Sequence, residues 1–311
     1  MSAHLEARNL GIALRGGNLL VERLSFDLAA GRTLGLVGES GSGKSLTAQA
    51  LLGLLPEERF EVTGSLRILG EEPGDWKRLR GKVIAMVFQE PRLALNPRME
   101  VGRQIAEVLE LHQGLSRAGA GREAARWLDR VGIAPARARD VPATFSGGML
   151  QRICIAMALA AGPRILVADE PTTALDTTVQ AQVLDLVGDL QRELGLAVLL
   201  ITHDLPLAAQ RCDDLLVLYA GRPMESGPTE RVLRRPLHRY TEALLACARF
   251  PAEAGTPLAA IPGQVPLVTP QSIPPCVFAD RCRAAREDCL NRSYTWYPEG
   301  HACFHPCGED P

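Results

Sequence analysis

The chain has 311 residues, 46% hydrophobic and 23% charged, with 34 basic and 36 acidic side chains, a formal net charge of −2 and a mean hydropathy of +0.02. This composition fits a globular chain long enough for two packed units and excludes disordered, collagen-like and coiled-coil classes. No apolar run reaches 18 residues, so no segment is expected to span a bilayer, and the balanced charge gives no sign of a protein that coats nucleic acid. The opening residues, Met1-Ser-Ala-His-Leu-Glu, lack a basic stretch followed by an apolar one, and the chain is expected to stay in the cytosol.

In chain order, the apolar pattern predicts a strand at Thr33–Val37, a helix at Ser45–Leu55 and a strand at Lys82–Phe88. Between Asn96 and Ala161 the periodicity becomes helical, as in Val101–His112 and Arg122–Val131. Strands return at Ile165–Ala168 and Ala197–Ile201, with a helix at Thr178–Leu194 between them. Such alternation predicts an α/β fold with a mostly parallel, helix-covered sheet and a helical subdomain at about 96–161. Six of the eight cysteines and ten of the 22 prolines fall from Ala246 onward. That shift places a boundary near Pro251, separating 1–250 from a Cys-rich 251–311.

The sharpest chemical signal is Gly38-Glu39-Ser40-Gly41-Ser42-Gly43-Lys44-Ser45, which follows an apolar strand and opens a helix. Glycines let backbone N–H groups turn inward around phosphate oxygens, and the helix N-terminus adds its positive end. Lys44 would reach the β- and γ-phosphates, Ser45 would ligate Mg²⁺, and Leu46 completes the nucleotide-binding run. A second strand, Ile165–Ala168, ends in Asp169 and Glu170. Asp169 is the candidate Mg²⁺ carboxylate, and Glu170 the candidate acceptor of a hydrogen bond from the attacking water. His203, just past the next strand, is placed to face a nucleotide crevice.

These elements, with Gln89, Phe145-Ser146-Gly147-Gly148-Met149 and Ala174-Leu-Asp176, resemble the ATP-binding subunit of ABC transporters. Phe88-Gln-Glu-Pro91, Leu95-Asn-Pro97, Pro236–Leu245 and Ile261–Pro266 resemble more narrowly the importer branch that serves oligopeptides, dipeptides and nickel. The resemblance implies a P-loop ATPase core with an antiparallel β part, and head-to-tail pairing with a second homologous ATPase subunit, a relative rather than a copy. Ser146, Gly147 and Gly148 would then bind the γ-phosphate held by the partner, Gln89 would sense Mg²⁺ and the attacking water, and Glu170, His203 and Gln89 would form the catalytic group. It further implies two transmembrane permeases, an extracytoplasmic substrate-binding protein, a peripheral place on the cytoplasmic side of the membrane, and no nucleic acid. Nickel or metal-chelate import is the alternative cargo, and a non-transport ABC ATPase the alternative class. Two departures stand out: Leu14 or Arg15 replaces the aromatic residue that usually stacks on adenine, and Met149 replaces the signature glutamine.

Cys276, Cys282, Cys289 and Cys303 offer four thiolates in a short Pro-rich segment, a donor set suited to structural Zn²⁺ or an iron–sulfur cluster. Paired C-x2-C knuckles are absent, and the irregular spacing resembles the [4Fe–4S] segment of oligopeptide-type ATPases. Cys307 and His305 are left as tail residues, and Cys154, Cys212 and Cys247 as packing residues.

Overall fold

The structure is a computed structural model that describes residues 3–173, 175–248, 259–266 and 275–308. The expected boundary at Pro251 lies outside those residues. Nine strands are present among them: β1 Ala3–Leu14, β2 Leu19–Ala29, β3 Thr33–Val37, β4 Phe60–Ile68, β5 Ile84–Val87, β6 Ile165–Asp169, β7 Ala197–Thr202, β8 Asp214–Tyr219 and β9 Arg222–Pro228. The chain divides into two compact units, one built on Leu69–Leu199 with Leu28–Arg32, the other on Glu6–Asp27, Thr33–Ile68 and the chain from Leu200 onward.

In the first unit β5 pairs in parallel with β6, Ile84 opposite Ile165, and β7 follows in the order β5-β6-β7. Every residue of β5 and β6 is buried, as parallel strands covered on both faces must be. Helices Val101–Gln113, Arg117–Arg130, Gly147–Ala160 and Thr177–Leu194 pack around one apolar core that includes Ile105, Leu109, Leu128, Ile153 and Leu166. Val101, Ile105 and Leu109 recur every four residues and supply the buried stripe of their helix, which stops at Gly114 with φ +66. The helix expected at Arg122 begins earlier, at Arg117, because Ser116 accepts a hydrogen bond from Gly119 N and caps it.

The second unit holds the strand order β2-β1-β4 and, separately, β3-β8-β9. β3 runs parallel to β8, Leu34 opposite Asp214, and β8 antiparallel to β9, with a register shift between Val217 and Leu218. The helix after β3 ends at Leu51 rather than Leu55. There Gly53 takes φ +60, and the N–H groups of Leu52 and Leu54 both turn back to the Gln49 carbonyl.

The end of the chain continues this sheet. Ser226 N donates to Gly300 O at 2.7 Å, Ala302 N donates to Met224 O at 2.9 Å, and Glu225 bridges His301 antiparallel, so the tail lies along the outer edge of β9. Glu225, fully buried, accepts from Leu237 N (3.0 Å), His238 N (2.9 Å) and the Arg231 guanidinium, which fixes the turn before the helix Arg239–Ala248. His238 is itself 1% exposed, and its Nδ1 accepts from Tyr240 N at 3.0 Å.

Burial, reinforced by the nearby His301, pushes the His238 pKa from 6.5 down to about 3. Above pH 6.5 the ring is neutral whether the chain is folded or unfolded; below it the unfolded chain takes up a proton that the folded chain refuses. Stability therefore falls as pH drops through the window from 6.5 towards 3, by about 2 kcal/mol between pH 6.5 and 5 from this one group. Thermal melts of the wild type and a His238→Asn variant at pH 7.5 and 5.0 check this. The wild type should lose more on acidification, and equal losses would move the acid sensitivity elsewhere.

Candidate functional site

β3 carries the second unit's chain directly into Gly38. A Cβ there would lie 2.1 Å from the Leu218 carbonyl oxygen, so only glycine lets Val37 stay paired with Val217 while the loop turns away. At the other end Gly43 takes φ +98, and a Cβ would lie 2.8 Å from Val21 Cγ2. The helix Lys44–Leu51 that follows has no side-chain cap and no acid in its first turn, so its positive dipole end faces the loop without an opposing carboxylate of its own first turn. Lys44, only 5% exposed, donates from Nζ to Gly38 O and Glu39 O, both at 2.9 Å. The Ser42 hydroxyl is buried without a hydrogen-bond partner, while Ser40 and Gly41 are exposed and Ser45 and Leu46 half-buried. A buried cation, a helix N-terminus without a side-chain cap and an unpartnered hydroxyl close together in sequence suit an anionic phosphate chain.

His203, exposed, stands at the end of β7 in the same unit, followed by Asp204, which accepts from Leu207 N at 2.9 Å and caps the next helix. Arg15, the candidate for adenine stacking, is engaged by backbone: its N donates to Arg59 O at 3.0 Å and its Nε to Glu57 O.

In the first unit β6 ends in Asp169, 5% exposed, and the next residue, Glu170, takes the left-handed φ of +44. A non-glycine residue held there costs on the order of 1–3 kcal/mol and needs support from its surroundings. That support is visible: Thr173 Oγ1 donates to Glu170 Oε2 at 2.9 Å and Gln89 Nε2 donates to the same oxygen at 3.3 Å. Two residues proposed from sequence, Gln89 and Glu170, are thus brought together. Thr173 was missed, although its place in the run Asp169-Glu-Pro-Thr-Thr173 offered a signal.

Ser146 caps the helix Gly147–Ala160, its Oγ accepting from Met149 N at 3.4 Å. Gly147 is half-buried and Gly148 buried. Arg137 lies over the Phe145 ring at 4.0 Å, donates to Thr144 O at 3.1 Å and reaches Met149 Sδ at 3.8 Å. Met149 thereby packs against a guanidinium that the sequence did not point to. Asp176, the last residue of the Ala174-Leu-Asp176 run, caps the helix Thr177–Leu194 by accepting from Val179 N at 3.0 Å.

The cysteine segment belongs to the second unit. Cys276 N donates to Cys289 O at 3.2 Å, Arg286 N approaches Cys289 Sγ at 3.5 Å, and Cys289 and Cys303 are each 8% exposed. Burial pushes the Cys276 thiol up to about 12, with repulsion from Cys289, Cys303 and Cys282 adding to it; Cys282 and Cys303 are likewise raised, first by burial. Among the described residues, the ligand atoms of Asp288, Cys289 and His305 lie within 4.8 Å of one another, with His305 Nε2 2.7 Å from Asp288 Oδ1. His305 is therefore part of the cysteine neighbourhood rather than a loose tail residue. Cys154 and Cys212, both buried and both pushed up to about 12 by burial, are packing residues as expected, whereas Cys247 is exposed on the helix Arg239–Ala248 and packs into no core.

Comparison with known proteins identifies the family of the chain. Residues 21–173 match the family model described as ABC transporter, and residues 224–289 the model described as oligopeptide/dipeptide transporter, C-terminal region. The oligopeptide transport ATP-binding protein OppD of Salmonella typhimurium is 47% identical over 302 residues, covering 93% of this chain and 89% of the relative. OppD of Escherichia coli is 47% identical with 93% and 88% coverage. The structure of cbiO1 from Clostridium perfringens, part of the ABC transporter complex cbiONQ, superposes with a TM-score of 0.67 at 23% identity, over 75% of this chain and 92% of that one. Among the described residues no helix is long and apolar enough to cross a membrane.

The closest packing at the signature helix gives a test of its geometry. A Cβ on Gly148 would lie 2.3 Å from Val179 Cγ1, so Gly148→Ala should cost about 1–3 kcal/mol. Adding Val179→Ala should restore most of that loss in a thermal melt, and an additive pair would place the strain elsewhere.

Proposed function

Because the chain belongs to the family of ABC transporter ATP-binding subunits, we propose that it hydrolyses ATP to energise the import of di- and oligopeptides. The observation that carries the cargo class is the presence, on one chain, of the phosphate loop and of a C-terminal region matched to oligopeptide and dipeptide transporters.

The chemistry follows from the residues. Gly38 to Leu46 would receive the triphosphate on backbone N–H groups, with Lys44 leaving its two carbonyl partners for the β- and γ-phosphate oxygens. The family resemblance assigns Ser45, Asp169 and Gln89 as the oxygen donors that would hold Mg²⁺, whose charge would offset that of the β- and γ-phosphates. Glu170, oriented by Thr173 and Gln89, accepts the proton of the water that attacks the γ-phosphorus, while ADP leaves on the opposite side. His203 would hydrogen-bond the transferred phosphoryl group. Ser146, Gly147 and Gly148 would complete the site of a facing, homologous ATPase subunit, since a helix N-terminus opened by a hydroxyl and two glycines is a phosphate receptor.

Motion generated by that pair needs a membrane partner. Phe88 and Leu93, 44% and 80% exposed on either side of Gln89-Glu-Pro91, provide apolar surface for a permease on the same loop that reports on Glu170. The reading therefore includes two permeases, a second related ATPase, an extracytoplasmic peptide-binding protein and a peripheral position on the cytoplasmic side of the membrane. For the tail we favour a [4Fe–4S] cluster on Cys276, Cys282, Cys289 and Cys303. The donor set fits: soft thiolates gathered in one segment repel one another when deprotonated, and a bound cationic centre relieves that repulsion. When bound, the cluster would cross-link the loops between Cys276 and Cys303.

Purification from membranes without oxygen tests the assembly. The chain should come with two multi-spanning proteins and with iron and acid-labile sulfide. A colourless preparation carrying one zinc would replace the cluster, and isolation free of any membrane protein would overturn the transport reading.

Glu170→Gln keeps the size and loses the base. Turnover should fall by roughly 10²–10⁴-fold with nucleotide affinity retained, as read by phosphate release and equilibrium binding. Full activity in that variant would remove Glu170 from its role.

A further inference from the structure

Arg281 sits on the short 3-10 turn Ala279–Arg281, between Cys276 and Cys282, 242 residues away in sequence from the acid it meets. Its side chain is 8% exposed and every nitrogen is committed. Nη1 donates to Glu39 Oε2 at 2.7 Å and to Tyr219 Oη at 3.1 Å, Nη2 to Glu39 Oε1 at 3.3 Å and to Ile261 O at 3.3 Å, and Nε to Pro262 O at 2.7 Å. The two bonds to Glu39 form the forked, charge-assisted pairing that fixes a carboxylate in both position and plane.

Glu39 is the second residue of the phosphate loop and is held at three points. Its carboxylate meets Arg281, its N–H donates to Tyr240 Oη at 3.0 Å, and its carbonyl accepts from Lys44 Nζ at 2.9 Å. Beneath it lies a box of buried rings, Tyr219 to Tyr240 at 4.6 Å, Tyr240 to Phe278 at 5.2 Å and Tyr219 to Phe278 at 5.4 Å between centroids. Phe278, 2% exposed, comes from the cysteine turn itself. A carboxylate in a loop that binds a triphosphate is an electrostatic liability, because it repels the ligand unless a cation is fixed beside it.

We propose that Arg281 is a positioning residue for nucleotide binding: from the cysteine turn it neutralises and orients Glu39, so that the C-terminal segment sets part of the affinity of the phosphate loop. This rests on the reading that the phosphates lie against Lys44. The coupling is reciprocal by thermodynamic necessity: nucleotide that binds better when Arg281 is docked also stabilises the docked turn.

Equilibrium titration with a fluorescent ATP analogue tests it on the intact chain. Lys44→Ala should abolish binding in an otherwise wild-type protein; if it does not, the reading of the loop fails, whatever Arg281 does. Given that control, Arg281→Gln should weaken binding on the order of tenfold by leaving Glu39 charged and unpaired. Glu39→Gln combined with Arg281→Gln should recover most of the lost affinity, because the repelling charge is gone. A purely structural Arg281 would leave the double variant as weak as the single one, or weaker, and that result overturns the proposal, as does an Arg281→Gln affinity within twofold of wild type. Should Arg281→Gln not fold, Arg281→Lys keeps a cation beside Glu39 and should bind within about threefold of wild type; a tenfold loss there would also sink the idea.

Discussion

The turn from β3 into the helix Lys44–Leu51 packs one buried cation and three glycines into the eight residues Gly38–Ser45, and that tight turn constrains the strands beside it. Gly38 has no room for a side chain because the Leu218 carbonyl occupies the space, so β3 and β8 are locked side by side where the loop leaves the sheet. Lys44, almost wholly buried, donates to the carbonyl oxygens of Gly38 and Glu39, which hold its ammonium group within the loop.

A second prepared arrangement stands at Glu170. Its left-handed backbone is costly, and Thr173 and Gln89 both donate to its side chain and fix where the carboxylate points. Charge pairing anchors two other acids, Glu225 with Arg231 and Glu39 with Arg281.

Legibility from sequence followed the distance over which each interaction acts. The phosphate loop, the strand ending in Asp169 and Glu170, and the long helices of the first unit are written in contiguous residues, and the alternation of apolar runs gave their order. β9 was not readable: Arg222-Pro-Met-Glu-Ser-Gly-Pro228 has no apolar run, and becomes a strand because β8 lies on one side and the tail on the other. β4, mostly exposed and carrying Glu61, Thr63, Gly64 and Ser65, gave no signal for the same reason. Arg137 and Arg281 carry no local pattern, since each matters only through a partner that folding brings near. The cysteines were legible as a group, but Asp288 and His305 were not, because their proximity to Cys289 depends on the path of the tail.

That path also bears on how the chain can be handled. With Gly300 and Ala302 hydrogen-bonded along β9, the short stretch Gly300–Ala302 serves as the final rung of the sheet. A shortened cassette ending near the Arg239–Ala248 helix would expose a naked row of amide groups on β9 and strip the cover from Tyr219 and Tyr240. Such a fragment invites edge-to-edge clumping, which makes the tail a built-in guard against self-association as well as a carrier of thiols.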